Sequence, residues 1–136
     1  MTSKIFINLP VKDLQKSMDF YTKIGFGNNP QFTNEFAACM VLNESIFVML
    51  LTYKYFQNFT KKEIADAKKT TQVLLAIELE SIEKIKELVE IATEAGGEIY
   101  MDAADYGWMY QHSLADLDGH QWELGYMDMS RFPQQQ

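Results

Sequence analysis

A chain of 136 residues with 12 Lys plus Arg against 19 Asp plus Glu, a formal net charge of −7, lacks the basic surface that nucleic acid or an anionic membrane would demand. A lone Cys39 excludes an intramolecular disulfide, the segment Met1 to Pro10 has no charged start and apolar core of a secretory signal, and no apolar run approaches the roughly 20 residues of a membrane span, so a cytoplasmic protein is expected. The length suits one domain that buries roughly two-thirds of its unfolded surface and needs neither metal nor disulfide merely to fold.

Lys4 to Leu9 alternates as a strand, with Ile5, Ile7 and Leu9 on one face and Phe6 and Asn8 on the other, and Pro10 is expected to end it. Asp13 is placed to cap a helix in which Leu14, Met18, Tyr21 and Ile24 recur at helical spacing, with Gly25 as its stop. Phe32 to Leu42 and Ser45 to Tyr53 read as paired strands around Asn43 and Glu44. Lys54 to Thr70 loses this pattern and is expected to be a connecting arm with one short helix at Thr60 to Ala67.

The second half restarts at Thr71. Val73, Leu75, Ile77 and Leu79 alternate strictly, and Ile82, Ile85, Leu88, Val89 and Ala92 then form one side of a helix. Its other side, Glu83, Glu87, Glu90 and Glu94, reads as a solvated face rather than a cation site. Gly96 and Gly97 terminate it, and strands are expected at Glu98 to Met101, Trp108 to Ala115 and Gln121 to Met127, the last two joined by the turn Asp116 to His120. Ser130 to Gln136 carries no packing pattern and is expected to fray.

The two halves are alike. Superposing Asp13 on Ser81 gives an offset of 81 − 13 = 68, which also lays Val11 on Leu79, Leu14 on Ile82 and Phe6 on Leu74. Internal duplication points to two equal half-sheets with the site between them. The expected organisation is a single domain over 1–129, with module one at about 3–53, the arm at about 54–70 and module two at about 71–127, followed by the tail 130–136.

The words Asn8-Leu9-Pro10-Val11-Lys12-Asp13-Leu14, Ser17, Phe20-Tyr21, Gly25-Phe26 and Asp116-Leu117-Asp118-Gly119-His120-Gln121-Trp122-Glu123 resemble the vicinal oxygen chelate superfamily of glyoxalases, extradiol dioxygenases and bleomycin- and fosfomycin-resistance proteins. Within it the chain looks most like the bacterial group labelled predicted lactoylglutathione lyase, on the segments Ala37 to Met40, Phe47 to Leu51 and Tyr106 to Tyr110. The resemblance implies an α+β fold in which two βαβββ modules form a curved open cup around a small-molecule site. It also implies a divalent metal at the base of the cup, held by a His on the first strand of each module and a carboxylate on the last.

Carried over by position, those places fall on Phe6, Leu74, about Leu50 (Met49 if the alignment slips by one residue) and Glu123. One carboxylate is short of the three or so protein ligands a catalytic metal requires, so no metal ligand and no cofactor are assigned. Glu123 and His112 remain as candidate catalytic residues: Glu123 as a general base or a carboxylate satisfied by neighbouring donors, His112 as a ligand-binding or proton-shuttling imidazole or a hydrogen-bonded structural one. His120 reads as a turn residue, and Cys39, with no basic residue close in sequence, as a small buried hydrophobe.

Phe6, Asn8, Met40, Met49, Leu50, Leu74, Tyr106, Trp108 and Tyr110 are the candidate lining of an apolar, aromatic cup, although Met and aromatic residues on strands also make ordinary core. A single arginine, Arg131, and the arm lysines are poor bidentate partners for the two carboxylates of glutathione. The expected function is therefore metal-free binding of a small apolar or aromatic molecule, by a homodimer that covers the cup's apolar rim. The alternative is a glyoxalase-type lyase or isomerase with a non-standard metal or polar centre.

Overall fold

Asp13 and Ser81 do the same work at the starts of two helices. Each takes an extended backbone and accepts a hydrogen bond on its side chain from the amide three residues on, Lys16 N to Asp13 Oδ1 at 3.1 Å and Lys84 N to Ser81 Oγ at 3.1 Å. In the computed structural model, which describes residues 3–133, the chain divides into two compact units at Thr70 and Thr71. Each unit is an open four-stranded mixed sheet with one long helix, so the fold is α+β and its repeat is βαβββ.

The first unit runs β1 (Ile5–Val11), α1 (Leu14–Lys23), β2 (Gly27–Asn29), β3 (Ala37–Val41) and β4 (Ile46–Thr52), then a single helical turn α2 (Tyr53–Phe56). Its strands lie in the order β1-β4-β3-β2, with β1 parallel to β4 and the other pairs antiparallel. The second unit repeats this with β5 (Leu74–Glu78), α3 (Ile82–Glu94), β6 (Ala104–Asp105), β7 (Met109–Ala115) and β8 (Gln121–Met127), in the order β5-β8-β7-β6. Both helices end alike: Gly25 N donates to Thr22 O and Phe26 N to Tyr21 O, as Gly96 N does to Thr93 O and Gly97 N to Ala92 O. The offset grows from 68 to 96 − 25 = 71 because α3 has 13 residues and α1 has 10.

Residues opposite each other in a ladder share a face, so the registers assign every strand residue to one side. Ala38, Met40, Val48 and Leu50, with Leu9 and Val11, form the side of the first sheet that is buried under Phe20 and Tyr21 of α1. In the second unit Leu124 packs with Ile85 and Val89 of α3, and Ile77, Leu79 and Tyr110 close around them. Each such large side chain stabilises its unit by about 1.5–3 kcal/mol through burial. The expected acidic face of α3, Glu83, Glu87, Glu90 and Glu94, is exposed throughout.

Four local expectations change. β1 continues through Pro10 to Val11, tolerated because β1 is at the edge of its sheet and a missing N–H there costs no ladder bond. The strand expected from Phe32 begins only at Ala37, because Pro30 opens a 3-10 turn over Pro30–Phe32 that Asn29 caps by accepting from Gln31 N at 3.0 Å. In the arm no helix forms at Thr60 to Ala67; the helical turns lie earlier, at Tyr53–Phe56 and Gln57–Phe59, where Thr52 Oγ1 accepts from Tyr55 N at 3.3 Å. Glu98 to Met101 makes only a bridge from Glu98 to Ala115, and the strand that pairs with β7 is β6 instead.

The tail also differs from expectation. Asp128 caps a 3-10 turn at Met129–Arg131, and the ring of Phe132 meets Trp108 edge-on at 4.7 Å; residues 134–136 lie outside the described residues. Among the described residues no helix is long and apolar enough to cross a membrane.

Candidate functional site

Each sheet has a second side, turned away from its own helix, and the two differ in chemistry. On the second sheet β7 and β8 alternate so that Trp122, Leu124 and Tyr126 go to the helix and Gln121, Glu123 and Gly125 to the far face, where the ladder sets Ser113 opposite Glu123 and Gln111 opposite Gly125. The result is a connected polar group. Gln111 Nε2 donates a hydrogen bond to Glu123 Oε2. Tyr100 reaches in from the loop after α3, its hydroxyl donating to Trp122 O at 3.3 Å and hydrogen-bonding the buried Ser113. Burial pushes the Tyr100 phenol above its ordinary range, the Ser113 hydrogen bond draws it back, and the charge of Glu123 raises it further. Leu74 and Ala76, opposite Gln121 and Glu123 in the β5–β8 ladder, give this face its apolar border.

The far face of the first sheet carries no such group. Phe6 and Phe47, paired across β1 and β4, stack with centroids 4.7 Å apart and planes at 11°, with the Lys4 ammonium 5.7 Å above Phe47. Asn8 and Met49 form the next pair and Cys39 lies opposite Met49 on β3. The Cys39 thiol is buried, and burial alone raises its pKa, the reverse of what a nucleophile needs.

These faces bring together some of the residues singled out in the sequence and separate others. Phe6, Asn8 and Met49 share the far face of the first sheet, and Leu74 and Glu123 that of the second. Met40 and Leu50 do not belong with them: both point to α1 and are fully buried, Met40 taking a contact from Asn28 Nδ2 on its sulfur at 3.7 Å. The module-one counterpart of Glu123 is accordingly Met49, since Asn8 pairs with Met49 as Ala76 pairs with Glu123.

His112 also parts from Glu123. It lies opposite Leu124 on the helix side, where Tyr110, opposite Tyr126, has the Lys86 ammonium of α3 6.0 Å from its ring centroid, so His112 and Glu123 cannot act on one molecule from one face. Tyr106 is an exposed loop residue, 62% accessible, and Trp108 is held against Phe132. His120 sits in the turn that Asp116 organises by accepting from Asp118 N and His120 N.

Gln111, Ser113, Gln121 and Tyr100 went unseen in the sequence, yet the first three were within reach. A five-residue turn fixes Ala115 opposite Gln121, so the clear alternation of β8 dictates that of β7. Tyr100 carried no signal, because it acts from a loop.

The donor set does not fit a metal ion. The four positions hold Phe6, Leu74, Met49 and Glu123, and among the described residues no group of three or more His, Cys, Asp or Glu is placed to bind one.

Two βαβββ units, each with a mixed sheet whose first and last strands run parallel, define a glyoxalase-like fold. The family model for the Glyoxalase/Bleomycin resistance protein/Dioxygenase superfamily matches residues 5–124, and the chain belongs to that superfamily. It is similar to a hypothetical protein of S. aureus at 27% identity, covering 93% of this chain and 95% of that one with a TM-score of 0.78. It also resembles a glyoxalase-related enzyme from Fulvimarina pelagi (21% identity, 93% and 88% covered, TM-score 0.78) and a superfamily enzyme from Burkholderia phytofirmans (16%, 90% and 96%, TM-score 0.75). No curated protein matches the chain.

Proposed function

We propose that this superfamily member binds a small organic molecule on the far face of its second sheet without a resident metal. The observation that carries the reading is the setting of Glu123. It is the only acidic side chain at the four ligand positions, it is half-buried, and one of its oxygens is engaged by Gln111. A carboxylate held in this way orients a ligand by hydrogen bonding, whereas a metal needs about three donors. Leu74 and Ala76 supply carbon surface beside it, in keeping with a largely apolar or aromatic ligand.

Native mass spectrometry of protein purified without added metal is the test. A co-purifying organic mass, displaced in Glu123→Leu, is the expected result. About one Zn, Ni or Fe per chain retained after dialysis would overturn the metal-free reading. The same spectrum reports assembly, where we propose a homodimer: the edge strands β1 and β5 leave Ile5, Phe6 and Leu74 about half exposed, apolar surface that a second copy would cover.

A second reading, a glyoxalase-type lyase or isomerase, draws on the proximity of Glu123 to Tyr100, a carboxylate and a phenol suited to moving a proton between adjacent carbons. His112 has no part in it. Turnover of a hemithioacetal that disappears in Glu123→Gln would establish this reading over pure binding.

A further inference from the structure

On the far face of the second sheet Gln121 Oε1 is buried and makes no hydrogen bond among the described residues. A shielded acceptor without a donor is costly and uncommon in a folded protein, and here it sits two residues from Glu123 on the same strand and the same side. Two residues along a strand place these side chains about 6–7 Å apart, the span of one aromatic ring with a substituent. Gln111 occupies Glu123 Oε2 and leaves Oε1 for another donor.

The charges on this face have one sign. Glu78 and Glu123 are its ionisable strand residues, and β5, β7 and β8 place no Lys, Arg or His on that side. A carboxylate approaching Glu123 would meet repulsion and an acceptor lacking any proton to share. An N–H group would meet two acceptors and a negative charge.

Resting on the ligand-binding reading above, we propose that this surface selects ligands bearing amino, amidino or amide N–H groups and rejects carboxylates of the same size. The site is then defined by what it accepts: a flat or apolar body against Leu74 and Ala76, and donors directed to Gln121 Oε1 and Glu123 Oε1. Such a preference runs against the doubly carboxylated thiol tripeptide that the glyoxalase resemblance suggests.

Three isosteric probes, benzamidine, benzamide and benzoate, titrated into 15N-labelled protein, decide the matter through the amide shifts of Gln111, Ser113, Gln121 and Glu123. Benzamidine is expected to bind tightest, benzamide next and benzoate least. Glu123→Gln should weaken benzamidine by about tenfold or more, the loss of one charge-assisted hydrogen bond, while leaving benzamide nearly unchanged. Gln121→Met should weaken both and raise the melting temperature of the free protein, because it removes the orphaned acceptor. Gln121→Glu should strengthen benzamidine, and Glu90→Gln, on the exposed face of α3, should alter nothing.

The spectrum of each variant verifies that it folds, and the opposite signs expected for Gln121→Met and Gln121→Glu keep the test decisive if one does not. Benzoate binding as tightly as benzamidine at these amides would overturn the donor preference and leave the ligand-binding reading intact. Shifts at none of them with any probe would overturn both.

Discussion

The helix-covered sides of the two sheets are nearly interchangeable, and the far sides are not. Both covered sides are centred on carbon, Val48 and Leu50 under α1 and Leu124 with Ile85 and Val89 of α3, with His112 as the ionisable ring at the side of the second. On the far sides the same strand position holds Met49 in one unit and Glu123 in the other, and the partner strand holds Cys39 in one and Ser113 in the other. A duplicated scaffold is held constant where packing demands it, since a one-residue change of volume there costs stability, and is free to diverge where no helix presses on it. The hydrogen-bonded polar group is accordingly on the far face of the second unit, while that of the first offers the stacked rings of Phe6 and Phe47.

The comparison breaks most sharply at the neighbours Met49 and Leu50. Leu50→Ala and Leu124→Ala should each cost about 2–5 kcal/mol, because both side chains are fully buried beneath a helix. Met49→Ala should cost less than about 1 kcal/mol by the partial exposure of its site. Urea unfolding of the three variants measures this, and equal losses at Met49 and Leu50 would mean that the two faces had been assigned wrongly.

A finer difference lies at the helix ends. Gly25 and Gly96 have φ of 110° and 106°, where an L side chain is strained, so Ala at either should cost about 1–2 kcal/mol. A Cβ at Gly25 meets nothing within 4 Å, whereas at Gly96 it would stand 2.9 Å from Leu117 Cδ2. Gly96→Ala is therefore expected to be worse by about 1 kcal/mol, less if Leu117 rotates aside. Paired thermal melts read the gap directly.

The smallest effect concerns alkaline pH, to which each far face contributes one group. Burial raises the pKa of Cys39, and burial, set against the Ser113 hydrogen bond and joined by the Glu123 charge, raises that of Tyr100. In both cases the folded state favours the neutral form. Their stabilisation is thus complete below the ordinary values, roughly 8.5 for a thiol and 10 for a phenol, and is lost as pH rises through the raised ones. Cys39→Ala should flatten the start of the alkaline decline in melting temperature and Tyr100→Phe its later part; an unchanged profile in both variants would refute the assignment.

Legibility followed the source of each constraint. The strand from Gln121 to Met127, the turn at Asp116 and the caps at Asp13 and Ser81 were all readable, because alternation, turn chemistry and capping are set by residues a few positions apart. The arm is not legible in the sequence because its charged and aromatic composition carries no period, and its helical turn starts from a cap, Thr52, that also ends β4. Met40, Leu50, Tyr110 and His112 have the chemical type of a ligand site, whereas the ladder turns all four toward the helices.

By itself, then, the sequence determined a strand–helix repeat at an offset of 68 and the alternation of its last strand, while the βαβββ count and the four ligand positions, of which Glu123 holds the one carboxylate, came from the family resemblance. The repeat and the alternation depend on residues a few positions apart, which is why local pattern carries them. Only the tertiary structure decided which residues accompany Glu123. Gln111 and Ser113 meet it through a strand register, and Tyr100 arrives from a loop without periodicity. A shift of one residue in pairing would have sent Tyr110 and His112 to that face instead, and such a register is settled by the burial of Leu114, Trp122 and Leu124 together rather than by any one of them.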